Sequence, residues 1–513
     1  MNALVLPVIV PFIASALCLM MTRSLALQKV VSGIAGHATL GISCWLAWIV
    51  RDGSVPVLRL GGWPGGFGIV YALDRLGAIM LVLGALMFVT SWWFTVLGAV
   101  KEGDQRRFYH PLFLLLLAGV SWAFLTADLF NLFVAFELIL LGSYALLTNS
   151  NSEGQVREGF KFAIMNVIAG MLFLAGAGLA YGTLGTLNLS DLALAVAATE
   201  QRGLATALAV LFIAVFGMKA AMFPLFFWMP DAYPKAPLGI QPFFVGILSK
   251  VGVYSLYRVL TLVFPGSAGG ELQPLLLFLA GATMLVGVLS ALSQWTFRHI
   301  LAFHSMSQIG YMLMGLSLFT AAGLAGGVFF LVHHALVKSA LFLVAGIVIL
   351  REGTDRLKEA RGLLVGYPVV AAMFLLGAFT LAGLPPTMGF YGKFALVLEG
   401  LATEHYVLTI ASLVTSVFTL ASMVKIWTYS FTGERPEGAP SPGRAPRVMW
   451  AGALVCALLV LAPVLSGPIM EYCAAAAEQS LDRSAYVTAV SGEQAWLWLS
   501  GEGATLLAAE ARP

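Results

Sequence analysis

The segment Ala382-Gly-Leu-Pro-Pro-Thr-Met-Gly-Phe-Tyr-Gly-Lys393 interrupts a long apolar run, 366–400, and decides what kind of fold the chain adopts. Its two prolines cannot continue a regular helix, and its last residue places a charge inside the run. A second apolar run, 204–228, is broken by a proline shortly after Lys219. Paired interrupted helices are typical of transporters built from inverted repeats. The predicted helix breaks lie at Pro224, Pro385 and Pro386.

The composition excludes an ordinary soluble protein. Of the 513 residues, 60% are hydrophobic and 10% are charged, and the mean hydropathy is +0.91, whereas soluble domains contain about 25% charged residues. Since one membrane-spanning helix uses about 20 apolar residues, the length allows about 12 to 15 spans. The net charge of +3 and the pI near 8.6 are typical of basic cytoplasmic loops and do not indicate a nucleic-acid partner.

The apolar runs predict an all-α polytopic membrane protein with about 14 transmembrane helices. The predicted spans are 2–22, 30–50, 72–98, 110–126, 129–148, 159–181, 204–228, 238–261, 274–294, 300–320, 324–350, 366–400, 406–431 and 448–467. The first span lacks the basic start and the cleavage site of a signal peptide. We therefore expect it to be a retained helix.

Basic residues are distributed unevenly over the predicted loops. The odd-numbered loops are rich in them, for example at Arg23, Lys29, Arg356 and Lys358. The even-numbered loops and the tail hold Arg51, Arg59, Arg202, Arg258, Arg483 and Arg512. Because basic loops remain on the cytoplasmic side, we expect the odd loops inside the cell and both termini on the outer side of a bacterial inner membrane.

Several ionisable residues lie inside the predicted spans. They are Glu137, Lys219, Lys250, Lys338, Lys393 and Lys425, together with His304, His333 and His334. A charge at the bilayer centre costs about 2.5–3.5 kcal/mol on insertion scales and normally marks an ion or proton path. Glu137 and Lys250 lie about 12 Å and about 18 Å into their spans, too deep to reach the interface. For Lys425, near a helix end, snorkelling to the interface is equally compatible with the sequence.

These residue types are suited to relaying protons. One acid among several lysines predicts an ion pair, because an isolated buried charge tends to become neutral. A lysine in low dielectric can load and release a proton near neutral pH, and histidine titrates at about pH 6.5. Lys338 lies four residues after His334 and shares its helix face, whereas His333 points elsewhere. Neither the adjacent histidines nor the scattered cysteines offer the spacing of a haem or metal site, so we expect no cofactor and no metal.

Several motifs resemble those of the antiporter-like subunits shared by Mrp cation/proton antiporters and respiratory complex I. They are Asp128-Leu-Phe-Asn-Leu-Phe-Val-Ala-Phe-Glu137, Phe216-Gly-Met-Lys-Ala-Ala-Met-Phe-Pro224 with Trp228-Met-Pro230, Ser249-Lys-Val-Gly-Val-Tyr254, and the broken segment that ends at Lys393. Others look most like the D-type subunit of the Mrp (Pha) system, namely Tyr181-Gly-Thr-Leu-Gly-Thr-Leu-Asn-Leu-Ser-Asp191, His304-Ser-Met-Ser-Gln-Ile-Gly310 and Leu331-Val-His-His-Ala-Leu-Val-Lys338. The resemblance extends over residues 70–430, most of the chain.

The resemblance implies two inverted five-helix repeats, each with a broken helix. The corresponding divisions are 1–109 for helices 1–3, 110–261 for the first repeat, 262–431 for the second, and 432–513 for the last helix and the C-terminal tail. It also implies that Glu137 pairs with Lys219 and that Lys250 is the central relay. His333, His334 and Lys338 would continue the path to Lys393, and the sequence leaves open which histidine takes part.

The function implied by the resemblance is that of a proton-conducting subunit in a multi-subunit secondary Na⁺ or K⁺/H⁺ antiporter, with other hydrophobic subunits as partners in the bilayer. The alternative is a proton-pumping membrane subunit of a complex I-like NADH/quinone oxidoreductase or a membrane-bound hydrogenase, where the same residues would serve. No phosphate loop, flavin motif or catalytic triad appears, so we expect an ion gradient to supply the energy and the chain not to be an enzyme. Because Glu137 is the single mid-membrane acid, we expect the metal cation to cross elsewhere.

Overall fold

The computed structural model describes residues 2–63, 68–106, 108–150, 152–435 and 447–492. Its N-terminal part is helical, with one short antiparallel hairpin between the second and third helices. The elements are α1 (Leu6–Met20), α2 (Leu25–Ile49), β1 (Val57–Arg59), β2 (Val70–Ala72), α3 (Arg75–Phe94), α4 (Glu102–Gln105) and α5 (Tyr109–Leu125).

The remaining described chain is also helical. The next helices are α6 (Leu129–Leu147), α7 (Glu153–Leu184), α8 (Leu189–Ala198), α9 (Arg202–Ala220), α10 (Trp228–Lys235), α11 (Gln241–Phe243) and α12 (Ser249–Leu262). They are followed by α13 (Pro265–Ala268), α14 (Gln273–Ser293), α15 (Phe297–Leu318), α16 (Ala321–Glu352), α17 (Leu363–Gly366), α18 (Pro368–Ala382), α19 (Met388–Ala402) and α20 (Tyr406–Ile426). The last three are α21 (Val448–Leu461), α22 (Ser466–Leu481) and α23 (Ser484–Ser491).

Within the described ranges, 10 helical segments are long and apolar enough to cross a membrane, and the bent pair α21 and α22 is a further candidate. Helices α5, α8 and α18 are apolar but shorter. The prediction of an all-α polytopic membrane protein is confirmed, while the count of fourteen spans stays a prediction. Most large apolar side chains on α1, α7 and α20 face outward, as expected of helices in contact with lipid or with another membrane subunit.

Two helices are interrupted near the prolines singled out in the sequence. Helix α9 ends at Ala220, and Ala221 adopts a φ of 61° before the chain resumes a helix at Trp228. Helix α18 ends at Ala382, where Gly383 has a φ of 84° that favours glycine. Each break leaves main-chain carbonyl groups at the end of the first half-helix without an intrahelical donor.

The C-terminal part extends beyond the predicted last span, 448–467. Helix α21 ends at Leu461, and α22 continues at an angle of 79° to it. The α22 side chains of Tyr472 and Gln479 donate to the main-chain oxygens of Ala47 at 3.1 Å and Gly53 at 2.8 Å. Part of the predicted tail is therefore an ordered helix that packs on the N-terminal helices, while residues 493–513 of that tail lie outside the described residues.

Helix directions define two faces of the bundle. Helix α12 ends, and α3 and α14 begin, at the face that carries Asp74 and α23, called the Asp74 face below. Helix α14 crosses to the opposite face, where α15 begins with an ion pair of 2.8 Å between Arg298 and Asp355. This second face is called the Arg298 face.

Close contact between α12 and the break in α9 positions the candidate site. Gly252 lies so near this break that a Cβ atom there would approach the main-chain nitrogen of Ala220 to 2.5 Å. A Cβ atom on Gly246 would meet the Ser339 hydroxyl of α16 at 2.8 Å. These two glycines allow α12 and the turn before it to lie between the broken helix α9 and the long helix α16.

Candidate functional site

Glu137 and Lys219 occupy neighbouring helices, α6 and α9, but the expected direct ion pair is not formed. The Nζ atom of Lys219 donates to the main-chain oxygen of Asn166 on α7 at 3.3 Å and lies 5.3 Å from the Phe136 ring centroid. The Glu137 carboxylate is turned toward Gly170, where a Cβ atom would approach Oε1 to 2.6 Å. The carboxylate of Glu137 and the ammonium group of Lys219 therefore have different neighbours and are not in contact.

A small cavity of about 20 Å³ adjoins Lys219. Its lining includes Ser143, Asn166, Trp228 and Leu248, the last of which belongs to the turn that precedes α12. A cavity of about this size can hold one water molecule when polar groups line it. Most of the lining is apolar, and the cavity separates Lys219 from the turn that precedes α12.

Lys250 is fully buried at the start of α12. It follows a π-helical turn, Phe244–Leu248, and its Nζ atom donates to the main-chain oxygen of Val245 in that turn at 2.5 Å. Turns of this kind interrupt the regular hydrogen-bond ladder and are frequent at functional sites. The ammonium group therefore has a main-chain acceptor and, among the described residues, no carboxylate partner.

Helix α16 brings the next three ionisable groups into the buried interior. Lys338 donates from Nζ to the main-chain oxygen of Leu301 at 2.6 Å. His333 points to α19, where a Cβ atom on Gly389 would lie 2.9 Å from its ring. His333 therefore faces the helix that carries Lys393.

The imidazole nitrogens of His333 and His334 are completely buried. None of the four has a hydrogen-bond partner within the described ranges. Buried polar atoms are nearly always hydrogen-bonded in native proteins, so these nitrogens are available to ordered water or to a moving proton.

Lys393 occupies the second helix break. Its Nζ atom donates to the main-chain oxygens of Leu381 and Ala382, both at 3.1 Å. These are the carbonyl groups that the end of α18 leaves free, and a cation is favourable at the C-terminal end of a helix. The sequence had indicated a charge near freed backbone groups, and the geometry identifies those groups.

Lys425 has a structural environment that differs from that of the other lysines. Its Nζ atom donates to the oxygens of Leu292 at 2.8 Å and Gln294 at 2.7 Å, and it lies 3.9 Å from the Trp295 ring centroid. Lys425 therefore caps the end of α14 at the Arg298 face.

Arg258 was assigned to an outer loop from the sequence, and that assignment is wrong. It lies inside α12, is 4% exposed, and forms two hydrogen bonds of 2.7 Å and 2.6 Å with the carboxylate of Asp74. Asp74 also accepts from the main-chain nitrogen of Gly77 at 2.9 Å and so caps α3. The sequence analysis did not identify this ion pair, because both residues lie at the ends of predicted spans, where charged residues are common. The helix-capping position of Asp74 was a signal that could have pointed to it.

The chain matches the family described as NADH:quinone oxidoreductase/Mrp antiporter, TM, over residues 126–419. It is 39% identical to the D-type subunit of the Na(+)/H(+) antiporter of Alkalihalophilus pseudofirmus over 493 residues, which cover 96% of this chain and 100% of that protein.

Solved structures have the same fold. The Mrp complex from Dietzia sp. DQ12-45-1b contains a chain with a TM-score of 0.89 and 32% identity, and the match covers 96% of this chain and 99% of that one. A chain of respiratory complex I from Thermus thermophilus has a TM-score of 0.81 and 25% identity, with 93% of this chain and 99% of that one covered.

Proposed function

This chain belongs to the NADH:quinone oxidoreductase/Mrp antiporter family, and from that premise we propose that it is the proton-conducting, D-type subunit of a multi-subunit Na⁺ or K⁺/H⁺ antiporter. It is a multi-pass membrane protein. The proposal draws on the D-type relative from Alkalihalophilus pseudofirmus and on the chain's likeness to a member of the Mrp complex. Its partners are the other hydrophobic subunits of that complex.

The observation that carries the proposal is a series of ionisable groups that extends from the half-buried Glu137 to the buried Lys393 at the second helix break. Lys219 lies one residue before the first break, and a small cavity lies between it and the turn that precedes α12. Lys250 is buried at the start of α12, His334 and Lys338 are buried on α16, and His333 lies against the segment that carries Lys393. We assign proton transfer to Glu137, Lys219, Lys250, His333, His334, Lys338 and Lys393.

The orientation follows from the distribution of basic residues. Arg298, Arg356 and Lys358 belong to the Arg298 face, which we assign to the cytoplasm because basic loops are retained there. The Asp74 face is then the outer face of a bacterial inner membrane, and both termini lie on that side. The proposed repeats, 110–261 and 262–431, each contain one helix break.

Only protons need to cross this chain. A sodium site requires several oxygen ligands, and the carboxylate of Glu137 faces Gly170 with no second carboxylate assigned to it. The metal cation therefore crosses at another subunit, while the movement of charge at Glu137 and Lys219 couples the two fluxes.

The proposal is tested by cation-driven proton flux in inside-out vesicles that contain the complete complex. Sodium and potassium are added in turn to vesicles with the unaltered chain, with Glu137→Gln, and with Glu404→Gln, a matched change at an exposed residue. We expect one cation to dissipate the pH gradient, Glu137→Gln to abolish that response at equal assembly, and Glu404→Gln to preserve it. A full response from assembled Glu137→Gln would contradict the proposal.

The same vesicles test the alternative function. The likeness to a chain of complex I favours a redox-driven pump as the second candidate. If neither cation produces a response and the vesicles acidify when a reductant is oxidised, the chain is the proton-pumping subunit of a redox complex.

Gly170→Ala is expected to slow cation/proton exchange without disturbing the fold. The new methyl group would displace the end of the flexible Glu137 side chain, which lies 2.6 Å from the Cβ position. Because a displacement of about 1 Å in a reacting group can cost about 100-fold in rate, we expect a loss of about tenfold or more. The measurement is the initial rate of cation-driven proton flux.

The matched control is Gly178→Ala on the same helix, where a Cβ atom would meet nothing within 4 Å. It should leave the rate unchanged. Equal rates for the two assembled variants would mean that the position of the Glu137 carboxylate does not limit transport.

A further inference from the structure

A cavity at the Asp74 face has a polar lining that the proposed proton path does not use. Its volume is about 520 Å³, which lies within the range of about 300–1,000 Å³ that is usual for sites of small molecules. It lies where the end of α8 and the start of α9 meet the segment between α12 and α14 and the turn between α22 and α23. Three separate parts of the chain therefore build this cavity.

Two arginine side chains from distant parts of the chain line the cavity. They are Arg202, at the first position of α9, and Arg483, in the turn before α23. The half-buried Arg483 donates from Nη1 to the main-chain oxygen of Leu262 at 3.2 Å, and this contact fixes its guanidinium group at the end of α12. The exposed guanidinium of Arg202 has neither a hydrogen bond nor an ion pair within the described ranges. Since each guanidinium carries five N–H donors, most donors of the pair have no acceptor among the described residues.

One carboxylate in the lining limits the charge that a ligand can carry. Glu271, which precedes α14, is exposed and accepts a hydrogen bond of 3.1 Å from Thr206. Within the described part of the chain it is the one acidic side chain of the lining, and it is not paired with either arginine. The ionised side chains of the lining therefore sum to one positive charge, which a single negative charge neutralises.

This set of groups matches a phosphodiester. Guanidinium groups bind phosphate oxygens through two parallel N–H donors. The first turn of α9 has no side-chain cap, and main-chain N–H groups at the start of a helix favour an anion. A phosphodiester carries one negative charge, whereas the carboxylate of Glu271 repels the second charge of a dissolved phosphate.

The surroundings of the cavity favour a lipid as the source of the phosphodiester. Val210 follows the lining residue Thr206 by one turn on α9 and is exposed, and Leu275 at the start of α14 is also exposed. Both helices are long and apolar enough to cross a membrane, and exposed apolar side chains on such helices can contact acyl chains. A phosphate group in the cavity thus lies where the acyl chains of the same molecule can follow α9 and α14 into the bilayer.

We propose that this cavity binds the phosphodiester group of an anionic phospholipid of the phosphatidylglycerol class. Arg202 and Arg483 hold the phosphate oxygens, and the carboxylate of Glu271 accepts a hydrogen bond from a hydroxyl group of the headgroup. Basic pockets between membrane-spanning helices bind anionic headgroups in the same way. One lipid molecule then connects the start of α9 with the turn before α23. The site is separate from the proton path, so this inference can fail while the proposed function holds.

The test uses the complete complex in phosphatidylcholine vesicles that contain a small, non-saturating fraction of phosphatidylglycerol with a photoactivatable acyl chain. Parallel vesicles contain phosphatidylcholine with the same acyl chain. After illumination, the label on the first turns of α9 and α14 is quantified in peptides of this chain. We expect phosphatidylglycerol to label these turns more strongly than phosphatidylcholine, and added inorganic phosphate to leave the label unchanged.

Arg202→Gln is the informative variant, because its side chain contacts no described residue and its loss should not disturb assembly. We expect the phosphatidylglycerol label to fall about tenfold, the effect of losing one charge-assisted hydrogen bond. Arg51→Gln is the matched control. Arg51 is exposed at the same face, where its main-chain oxygen accepts from Arg75, and it does not line the cavity. This variant should keep the full label.

The remaining outcomes overturn the inference. Equal labelling by the two lipids, or undiminished phosphatidylglycerol label on an assembled Arg202→Gln complex, would mean that the arginines do not select the lipid. Loss of the label on addition of inorganic phosphate would show that the cavity takes a dissolved anion. Absence of label from both turns would show that another part of the complex covers the cavity. If Arg202→Gln does not assemble, the comparison of the two lipids on the unaltered chain decides.

Discussion

Lys250→Ala is expected to abolish cation/proton exchange while the complex still assembles. Lys250 is fully buried between the two helix breaks, and its Nζ atom donates to the main-chain oxygen of Val245. A methyl group can neither bind a proton nor influence the charge of its neighbours, so the relay would be interrupted at its centre. The measurement is sodium- and potassium-driven proton flux in inside-out vesicles. We expect the rate to fall to that of vesicles that lack the complex.

Two further variants serve as controls for this result. Lys250→Met keeps most of the side-chain volume and should be equally inactive, which excludes a cavity as the cause. Lys101→Ala removes an exposed lysine and should leave exchange unchanged. Undiminished exchange by an assembled Lys250→Met complex would refute a path through this residue.

Asp74→Asn is expected to destabilise the folded subunit strongly. The change keeps a side chain that can cap α3 but leaves the buried guanidinium of Arg258 without its anionic partner. Removing one member of a buried ion pair typically costs about 3–5 kcal/mol. We therefore expect a large decrease in the melting temperature of the purified complex and in the amount of this protein in the membrane.

The double variant Asp74→Asn with Arg258→Met is the control for this prediction. Replacing both charges avoids an unpaired buried group and is often neutral for stability, so most of the lost stability should return. If the double variant is as unstable as Asp74→Asn alone, the unpaired charge of Arg258 is not the cause of the loss.

Much of the architecture could be predicted because it depends on local properties of the chain. Runs of about 20 apolar residues require a membrane environment and a helical backbone. Prolines interrupt the hydrogen-bond ladder of a helix, so the sequence alone indicated the breaks beside Lys219 and Lys393. The depth of Glu137 and Lys250 followed from the rise of a helix.

The partners of these groups depend on how helices from distant parts of the chain pack together. Packing determined that Lys219 contacts Asn166 and not Glu137, and that Lys425 caps α14. It also joined Arg258 to Asp74 and Tyr311 to α20. Helical periodicity shows which side chains share a face, but crossing angles and close glycine contacts decide what lies opposite that face. The sequence therefore determined the membrane fold class, the helix breaks and the ionisable groups, and only the tertiary structure decided which of those groups meet.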